Sequence, residues 1–515
     1  NKYTFYACEA LEIVGDLSGV TSIGEAAFNG CMSLASVGDL SNVITIGDYA
    51  FGACASLENI DNLDNVKSIG ICAFSGKYYP ATRRCKAPFS VSLKSVGDMP
   101  KLETIANGAF WSCSGLEHIG NMLRLKTLGD DVFGGCSALV SVGDLSSLTE
   151  TPYGLFSNLN NLISVGDMSN VTSIGDATFN GCASLESIGD LLNVTSIGNS
   201  AFAGCSSLKN VGDMPNVMSI GDSAFGGIAT FDDDGNWIGN EYCISLKEIG
   251  DMPKLETIGN NAFNGCSTLA SIGDLPNVTS IGGAFYGCSS LASMGNLNSV
   301  TSIGEYAFSG CKALASVGDL SNVTSIGNSA FSGCSALASV GNLSNVTSIG
   351  DSAFAGCASL ESIGNLQNVK SIGESAFGLY GYYDENDKYQ IIYCTSLKSI
   401  GDMPKLETIG ASAFSCCSSL ASVGDLSSVT SIGEYAFDGC SLLVSVGDLS
   451  SVTSIGGLAF YGCSSLASVG DLRSVTEIGN YAFDACSNLT LRVLPNSYAE
   501  DYAKSHNIKY TYIED

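Results

Sequence analysis

A spacing of 23 residues between successive phenylalanines constrains this chain more than any other feature. Twenty of its 22 Phe share one register, from Phe5 to Phe483, and the step departs from 23 at only four places. One copy, from Leu314 to Ala336, has an apolar residue at about every third position, then Ile-Gly, an Ala-Phe pair and a Cys. That spacing fits neither a helix nor an alternating strand. It predicts a coil that buries its apolar residues only by stacking on the next coil, as in a solenoid.

Three insertions interrupt the repeat. They lengthen the step to 36, 38 and 37 residues after Phe74, Phe225 and Phe377, and one unit between Phe263 and Phe285 is a residue short. Each insertion lies between the Phe and the Cys columns and is followed by Asp-Met-Pro-Lys-Leu-Glu-Thr-Ile, which indicates a duplicated block of six units. Because they occupy the same place in the unit, all three are predicted to emerge on one flank.

The repeated pattern is Leu-x-x-Val/Ile-x-x-Leu/Met-x-x-Val-x-x-Ile-Gly-x-x-Ala-Phe-x-Gly-Cys, and it resembles the BspA-like, or Treponema-type, class of leucine-rich repeats. The resemblance implies a curved, right-handed leucine-rich-repeat solenoid of about twenty 23-residue repeats with short inner strands. Asp-Leu stands where that class usually has an aliphatic-Pro pair, as at Asp319-Leu320, so the inner strand is expected to be short there. The solenoid is predicted over residues 1–487, with insertions at about 77–89, 228–242 and 380–393.

The last 28 residues, 488–515, depart from the repeat. Ser497 and Glu500 form a capping box, which predicts a short helix from about Tyr498 to Ser505, and alternating tyrosines after it predict a strand. This segment resembles the terminal cap of the same class. Its expected role is to cover the last coil.

Composition and charge restrict the function. Lys and Arg number 22 against 51 Asp and Glu, and the net charge of −29 disfavours nucleic acid and anionic membrane as partners. No apolar run approaches the length of a membrane span, so membrane insertion is not expected. The two histidines, His118 and His506, stand beside no nucleophile motif, and we predict that the chain is not an enzyme. It lacks a signal peptide and starts within a repeat, so we expect a processed form of a secreted or bacterial cell-surface protein.

Cysteines form a second column. Eighteen of 21 occupy the repeat position, which predicts buried, reduced thiols, with stacked disulfides or a metal as the alternatives. Three cysteines lie off the column: Cys72, Cys85 and Cys416. Cys85 belongs to the first insertion and Cys72 precedes it, so a Cys72–Cys85 disulfide would fix this insertion in an oxidising compartment.

Acidic positions offer two candidate Ca²⁺ sites. Asp or Asn precedes the second Leu of each unit, as at Asp319 and Asn342, where a turn-forming hydrogen bond is the main interpretation and a cation the alternative. In the second insertion, Asp232, Asp234, Asn236 and Glu241 resemble a Ca²⁺ loop without the spacing of an EF-hand. A hairpin turn at Asp-Gly explains these residues equally well. No other cofactor is expected.

The resemblance implies adhesion to host extracellular matrix or plasma proteins, or to other cells, without a catalytic step. A structural stalk that presents another domain is one alternative, and glycan binding through aromatic insertions is another. The aromatics of the insertions are the candidate binding residues, since Tyr and Trp dominate interface hot spots: Tyr78, Tyr79, Phe231, Trp237, Tyr242, Tyr380, Tyr382, Tyr383 and Tyr389. The opposing interpretation is that they pack back on the solenoid.

Overall fold

The computed structural model describes residues 1–75, 92–230, 236–383, 386 and 388–513, and the backbone alone of 77–79, 84–86 and 231. It divides into two compact units, Asn1–Cys266 and Ser267–Asp515. Each unit is a stack of coils, about twenty in the whole chain, that follow the 23-residue repeat. The predicted leucine-rich-repeat solenoid is therefore confirmed.

Two ladders of short parallel strands connect the coils. The Ile ladder contains the two-residue strands that precede the repeated Gly, and equivalent residues pair across coils, as Ile303 pairs with Ile326. In the first unit its strands are Ser22–Ile23, Thr45–Ile46, Ser68–Ile69, Thr104–Ile105, Thr127–Leu128, Glu150–Thr151, Ser173–Ile174, Ser196–Ile197, Ser219–Ile220 and Thr257–Ile258. In the second they are Ser280–Ile281, Ser302–Ile303, Ser325–Ile326, Ser348–Ile349, Ser371–Ile372, Thr408–Ile409, Ser431–Ile432, Ser454–Ile455 and Glu477–Ile478.

The Val ladder lies nine residues earlier in each coil and is less regular. Its strands are Asn59–Ile60, Ser95–Val96, His118–Ile119, Ser141–Val142, Ser164–Val165, Ser271–Ile272, Ser293–Met294, Ser362–Ile363, Ser399–Ile400 and Ser422–Val423. In several other coils it is reduced to single bridges, such as Ser316 to Ser339. Short strands are thus a property of every coil.

The core is one column of side chains for each apolar repeat position. In one coil the buried residues are at most 1% exposed: Leu314, Val317, Leu320, Val323, Ile326, Ala330, Phe331 and Cys334. The Phe rings stack within each unit with centroids 5.0 to 6.0 Å apart. The Phe N–H of most coils also donates to a carbonyl of the next coil, as Phe331 does to Ala353 at 2.7 Å. Backbone and side chains therefore impose the same coil spacing.

The Cys column has a specific hydrogen-bonding role. In fifteen coils the thiol approaches the carbonyl oxygen of the preceding coil's Phe, with Sγ to oxygen distances of 3.0 to 3.4 Å. The thiol is a weak donor that fits a small apolar site. Nineteen cysteines are free, and all but Cys8, Cys416 and Cys486 are buried. The structure therefore agrees with the interpretation of the column as buried thiols.

Three antiparallel hairpins occupy the insertions. The first hairpin pairs Lys77–Tyr79 with Arg84–Lys86, and the second pairs Ile228–Phe231 with Trp237–Glu241. The third hairpin pairs Tyr380–Tyr383 with Tyr389–Ile392. The second and third hairpins leave their coils after the Ala-Phe pair and return to the Cys column at Cys243 and Cys394.

The C-terminal segment closes the second unit. Strand Thr490–Val493 pairs in parallel with Lys509–Tyr512, and helix Tyr498–Ser505 lies between them in sequence. Ser497 caps the helix by accepting from the Glu500 N–H. Tyr502 meets the edge of Phe483, the last ring of the Phe stack, at 6.2 Å. Among the described residues no helix is long and apolar enough to cross a membrane.

Thiol labelling tests the buried column. Burial raises the pKa of Cys31 to about 11 and that of Cys182 to about 12, so these thiols are both inaccessible and protonated at neutral pH. We expect a maleimide to modify only Cys8, Cys416 and Cys486 in the native protein. Unfolding without reductant should release sixteen further thiols from the described cysteines. Recovery of far fewer would show that disulfides link the coils.

The second prediction concerns acid stability of the cap. The Glu500 carboxylate is held by Lys504, Tyr512 and the Asn496 N–H, which lower its pKa to about 2. Because this value lies below the unfolded pKa of about 4.3, the group stabilises the folded state above that pH and loses this effect as pH falls toward 2. We expect Glu500→Gln to lower the melting temperature at pH 7.

The difference between Glu500→Gln and the wild type should shrink between about pH 5 and pH 2. Glu361→Gln is the matched control, because its ion pair with Lys398 is exposed and contributes little. A difference that persists unchanged at low pH would contradict the electrostatic role of Glu500.

Candidate aromatic binding site

The third hairpin lies back across the two coils that precede it. The Tyr380 ring covers Gly333 and Gly356, which have positive φ of +73° and +69°. A Cβ at these positions would lie 2.6 and 2.4 Å from atoms of Tyr380. Both the backbone conformation and the close approach require glycine. These two glycines therefore determine where the hairpin sits.

A groove opens between this hairpin and the flank of the solenoid. We call it the tyrosine groove, and its volume of about 680 Å³ falls in the usual range of small-molecule sites. Its charged and aromatic lining comes from both the hairpin and the coils: Tyr286, Tyr306, Lys312, Tyr380, Tyr382 and Tyr383. Five serines complete it: Ser289, Ser309, Ser329, Ser332 and Ser352. It is thus a polar, aromatic site rather than an aliphatic one.

Ring contacts fix the walls of the tyrosine groove. Tyr286 and Tyr306 meet edge to face with centroids 6.0 Å apart, and Tyr380 and Tyr382 stack at 5.6 Å. Lys312 Nζ lies 4.2 Å from the centre of the Tyr382 ring. This distance is within the range of a cation–π interaction. Burial raises the pKa of the Tyr380 phenol, so it remains a neutral hydroxyl at physiological pH.

Other aromatics of the third hairpin face solvent. Tyr383 is 70% exposed and Tyr389 is 53% exposed, and their rings contact each other at 5.2 Å. The hairpin therefore divides its tyrosines between an anchor, Tyr380, and an exposed pair. The two interpretations offered by the sequence, packing back and presenting a binding surface, apply to different residues of one hairpin.

The second hairpin shows the same division. Ile228 approaches Gly204, and the Tyr242 ring covers Gly227 and Gly265, where an added Cβ would clash with it. Trp237 is 63% exposed on the returning strand. The side chain of Phe231 lies outside the described residues. Tyr242 is thus an anchor and Trp237 is the exposed candidate.

The first hairpin is described by its backbone alone. Tyr78 and Tyr79 lie in its first strand, but their side chains fall outside the described residues, as does that of Cys85. Cys72 is disulfide-bonded. Its pairing with Cys85 stays a prediction.

The candidate Ca²⁺ loop also stays a prediction. Asp232 and Asp234 lie outside the described residues, while Asn236 and Glu241 are exposed beside and at the end of a hairpin strand. In the described part of the chain no group of three or more His, Cys, Asp or Glu side chains could hold a metal ion.

The Asp and Asn column has a structural role. The Asp319 carboxylate accepts the N–H of Ser321 two residues on, and Asn342 does the same for Ser344. Asn in the next turn donates to the preceding coil, as Asn345 Nδ2 does to the Ser321 carbonyl at 2.6 Å. The main interpretation of this column, a turn-forming hydrogen bond, is confirmed for these units. Where Pro stands two residues on, the carboxylate can instead accept an N–H of the next coil, as Asp98 does from Asn121.

Sequence reasoning missed the coil side of the tyrosine groove. Tyr286 and Tyr306 belong to the repeat itself, where the pattern does not mark them as part of a site. Lys312 did carry a signal, because it is the only basic residue directly after a column Cys. Only the path of the hairpin shows that these residues meet Tyr380 and Tyr382.

The fold and its repeats define a leucine-rich-repeat solenoid. The family described as BspA type leucine rich repeat region (6 copies) matches residues 1–86, 89–231, 240–318, 256–380 and 387–505. The chain belongs to this family, as its repeat pattern indicated. None of the curated proteins compared with it is significantly similar in sequence.

Several solved structures are similar to the chain. A leucine-rich repeat protein from Bacteroides ovatus is 21% identical, with 100% of this chain and 87% of that chain covered and a TM-score of 0.32. A leucine rich cell surface protein from Faecalibacterium prausnitzii is 22% identical over 79% and 83% of the two chains, with a TM-score of 0.33. The pneumococcal vaccine antigen PcpA is 15% identical over 87% and 85%, with a TM-score of 0.35.

Replacing Gly356 tests how the third hairpin is seated. Gly356→Ala places a methyl group against Tyr380, so we expect the hairpin to lift and trypsin to cleave at the exposed Lys388 about tenfold faster. Gly462→Ala is the control, because Gly462 has a similar φ of +72° but no atom closer than 3.8 Å to the added Cβ. Equal cleavage of both variants would mean that backbone strain, not contact with Tyr380, explains the effect.

Proposed function

We propose that this chain is a non-catalytic binding protein of a bacterial surface or its surroundings, which attaches to a protein ligand through its aromatic hairpins. The observation that carries the proposal is that the second and third hairpins each contain two kinds of aromatic side chain, one that packs on the coils and one that is exposed. Half-buried anchors, Tyr242 and Tyr380, hold these hairpins against the coils, and other aromatic side chains remain exposed. Membership of the BspA-type repeat family supports a binding role.

The exposed aromatics suit an interface. Tyr383, Tyr389 and Trp237 combine large apolar area with polar atoms, the chemistry that dominates hot spots. Because each hairpin is seated on rigid coils, little conformational freedom is lost on binding. A host extracellular matrix or plasma protein is the partner that we propose.

An extracellular location is supported by the disulfide at Cys72. Disulfides persist in oxidising surroundings and are rare in the cytosol. The free cysteines are compatible with such surroundings because most are buried and protonated.

Both histidines have positions that fit a structural role. The His506 ring stacks on Tyr502 at 4.0 Å, and its Nδ1 lies 3.0 Å from both the Tyr502 carbonyl and the Ser505 hydroxyl. His118 is an exposed residue of the Val ladder. We therefore propose binding without a chemical step.

A binding screen tests this function. The full chain is applied to immobilised extracellular matrix and plasma proteins by surface plasmon resonance, together with Trp237→Ala and the double variant Tyr383→Ala with Tyr389→Ala. Loss of a hot-spot side chain costs about 2 kcal/mol, so the affinity of the responsible hairpin variant should fall about 30-fold. Circular dichroism confirms that each variant is folded.

The matched control is Tyr461→Ala with Tyr481→Ala, which removes two exposed tyrosines from coils without a hairpin. This control should retain wild-type affinity. Binding that is lost in the control, or kept in both hairpin variants, would place the site elsewhere on the chain.

A further inference from the structure

We propose that the tyrosine groove binds a saccharide that carries an anionic group, held by stacking on tyrosine and by serine hydroxyls, with Lys312 contacting the anion. This inference extends the proposed function, since it assigns a ligand class to the inner side of the same hairpin.

Two serines of the groove floor are the main observation. Ser309 and Ser332 are each 3% exposed, and both line the groove. At the same coil position the Ser75 hydroxyl donates to the Cys72 carbonyl. A hydroxyl that lines a groove is available to form hydrogen bonds with water or with a ligand. A hydroxyl both donates and accepts, so its natural complement is another hydroxyl, of which a sugar carries several.

The walls of the groove suit a sugar ring. Tyr286 and Tyr306 meet edge to face on the coil side, and Tyr380 and Tyr382 stack on the hairpin side. Flat aromatic faces accept the apolar C–H face of a pyranose while their phenols remain available for hydrogen bonds. The groove is open along its length, and its 680 Å³ can hold more than one ring.

Lys312 explains the preference for an anion. Its ammonium lies over the Tyr382 ring, and no described residue forms an ion pair with it. In contrast, Lys94, Lys126, Lys209 and Lys398 each pair with a Glu of the preceding coil. The net charge of −29 opposes anions at long range, but salt screens charges beyond about 8 Å under physiological conditions. Lys312 is therefore expected to favour a saccharide whose anionic group lies next to its ammonium.

A peptide fits the groove less well. Peptide anchors need deep apolar pockets, whereas Leu379 is the one aliphatic side chain among the residues that line this groove. Serine and glycine make up most of the remaining surface. A peptide ligand is kept as an outcome of the test.

The repeat itself supplies variants that preserve the fold. Ala203 and Ala355 occupy the position of Ser309 and Ser332 in other coils, and Ser289 and Ser335 occupy the position of Lys312. Ser309 and Ser329 stand where Tyr286 and Tyr306 do. The test variants are therefore Ser309→Ala with Ser332→Ala, Lys312→Ser, and Tyr286→Ser with Tyr306→Ser. Tyr461→Ser with Tyr481→Ser is the control, because these tyrosines occupy the same two repeat positions away from the hairpins.

Isothermal titration of the full chain with lactose, sialyllactose and sulfated lactose measures the interaction. We expect an anionic probe to bind about tenfold more tightly than lactose, and Lys312→Ser to abolish that difference while leaving lactose binding intact. The serine variant should lose about tenfold for every probe, and the tyrosine variant should lose binding. Comparison of the sialylated and sulfated probes identifies whether a carboxylate or a sulfate is preferred.

The inference is overturned if none of the three probes binds, if the control variant loses as much affinity as the groove variants, or if lactose binds as tightly as both anionic probes. It is also overturned if a peptide from a protein found in the screen binds and is lost in Tyr286→Ser with Tyr306→Ser. These outcomes leave the proposed function standing, because that function is also measured through Trp237 of the second hairpin, which does not line the tyrosine groove.

Discussion

The hydrogen bond from the Phe N–H to the carbonyl of the residue before Phe in the next coil is the interaction on which the remaining structure depends. It holds adjacent coils at a spacing that also suits the stacked Phe rings and the bond from Cys to the preceding Phe carbonyl. Three chemically different contacts thus require the same geometry at one corner of the coil. Because this corner sets the spacing of the coils, the strands elsewhere can be irregular. This explains why the Val ladder is often a single bridge.

Much of the fold could be predicted because the same positions are apolar in each copy of the repeat, and these positions form the core. The spacing from Leu314 to Cys334 identified every buried apolar side chain of that coil, and Ser497 with Glu500 marked the helix that follows the last repeat. The Asp-Leu pair indicated short strands, and the two-residue ladders agree. These predictions succeeded because each depends on residues close in sequence or on an exact copy of them one coil away.

Only the hairpin side of the candidate site could be predicted, because the coil residues that complete the site lie far from the hairpin in sequence. Tyr380, Tyr382 and Tyr383 stand out because the insertion is unlike the repeat, but their partners do not. Tyr286 lies more than ninety residues before the hairpin in sequence, and the contact exists because the hairpin turns back across the coils rather than away from them. The hairpin takes that direction because Gly333 and Gly356 leave space for Tyr380. This space exists only in the folded flank, and no local sequence pattern indicates it.

The glycines beneath the hairpins have a consequence for how such a chain diversifies. Each described seat includes glycines in the two coils before the insertion: Gly181 and Gly204 beneath Ile228 of the second hairpin, Gly333 and Gly356 beneath Tyr380 of the third. Gly439 and Gly462 form a similar pair in two consecutive coils, whereas Ser112 and Asn158 interrupt the column elsewhere. A hairpin can therefore lie back on the flank where glycines stand beneath it, so these coils provide attachment points on which different recognition elements can evolve without altering the solenoid.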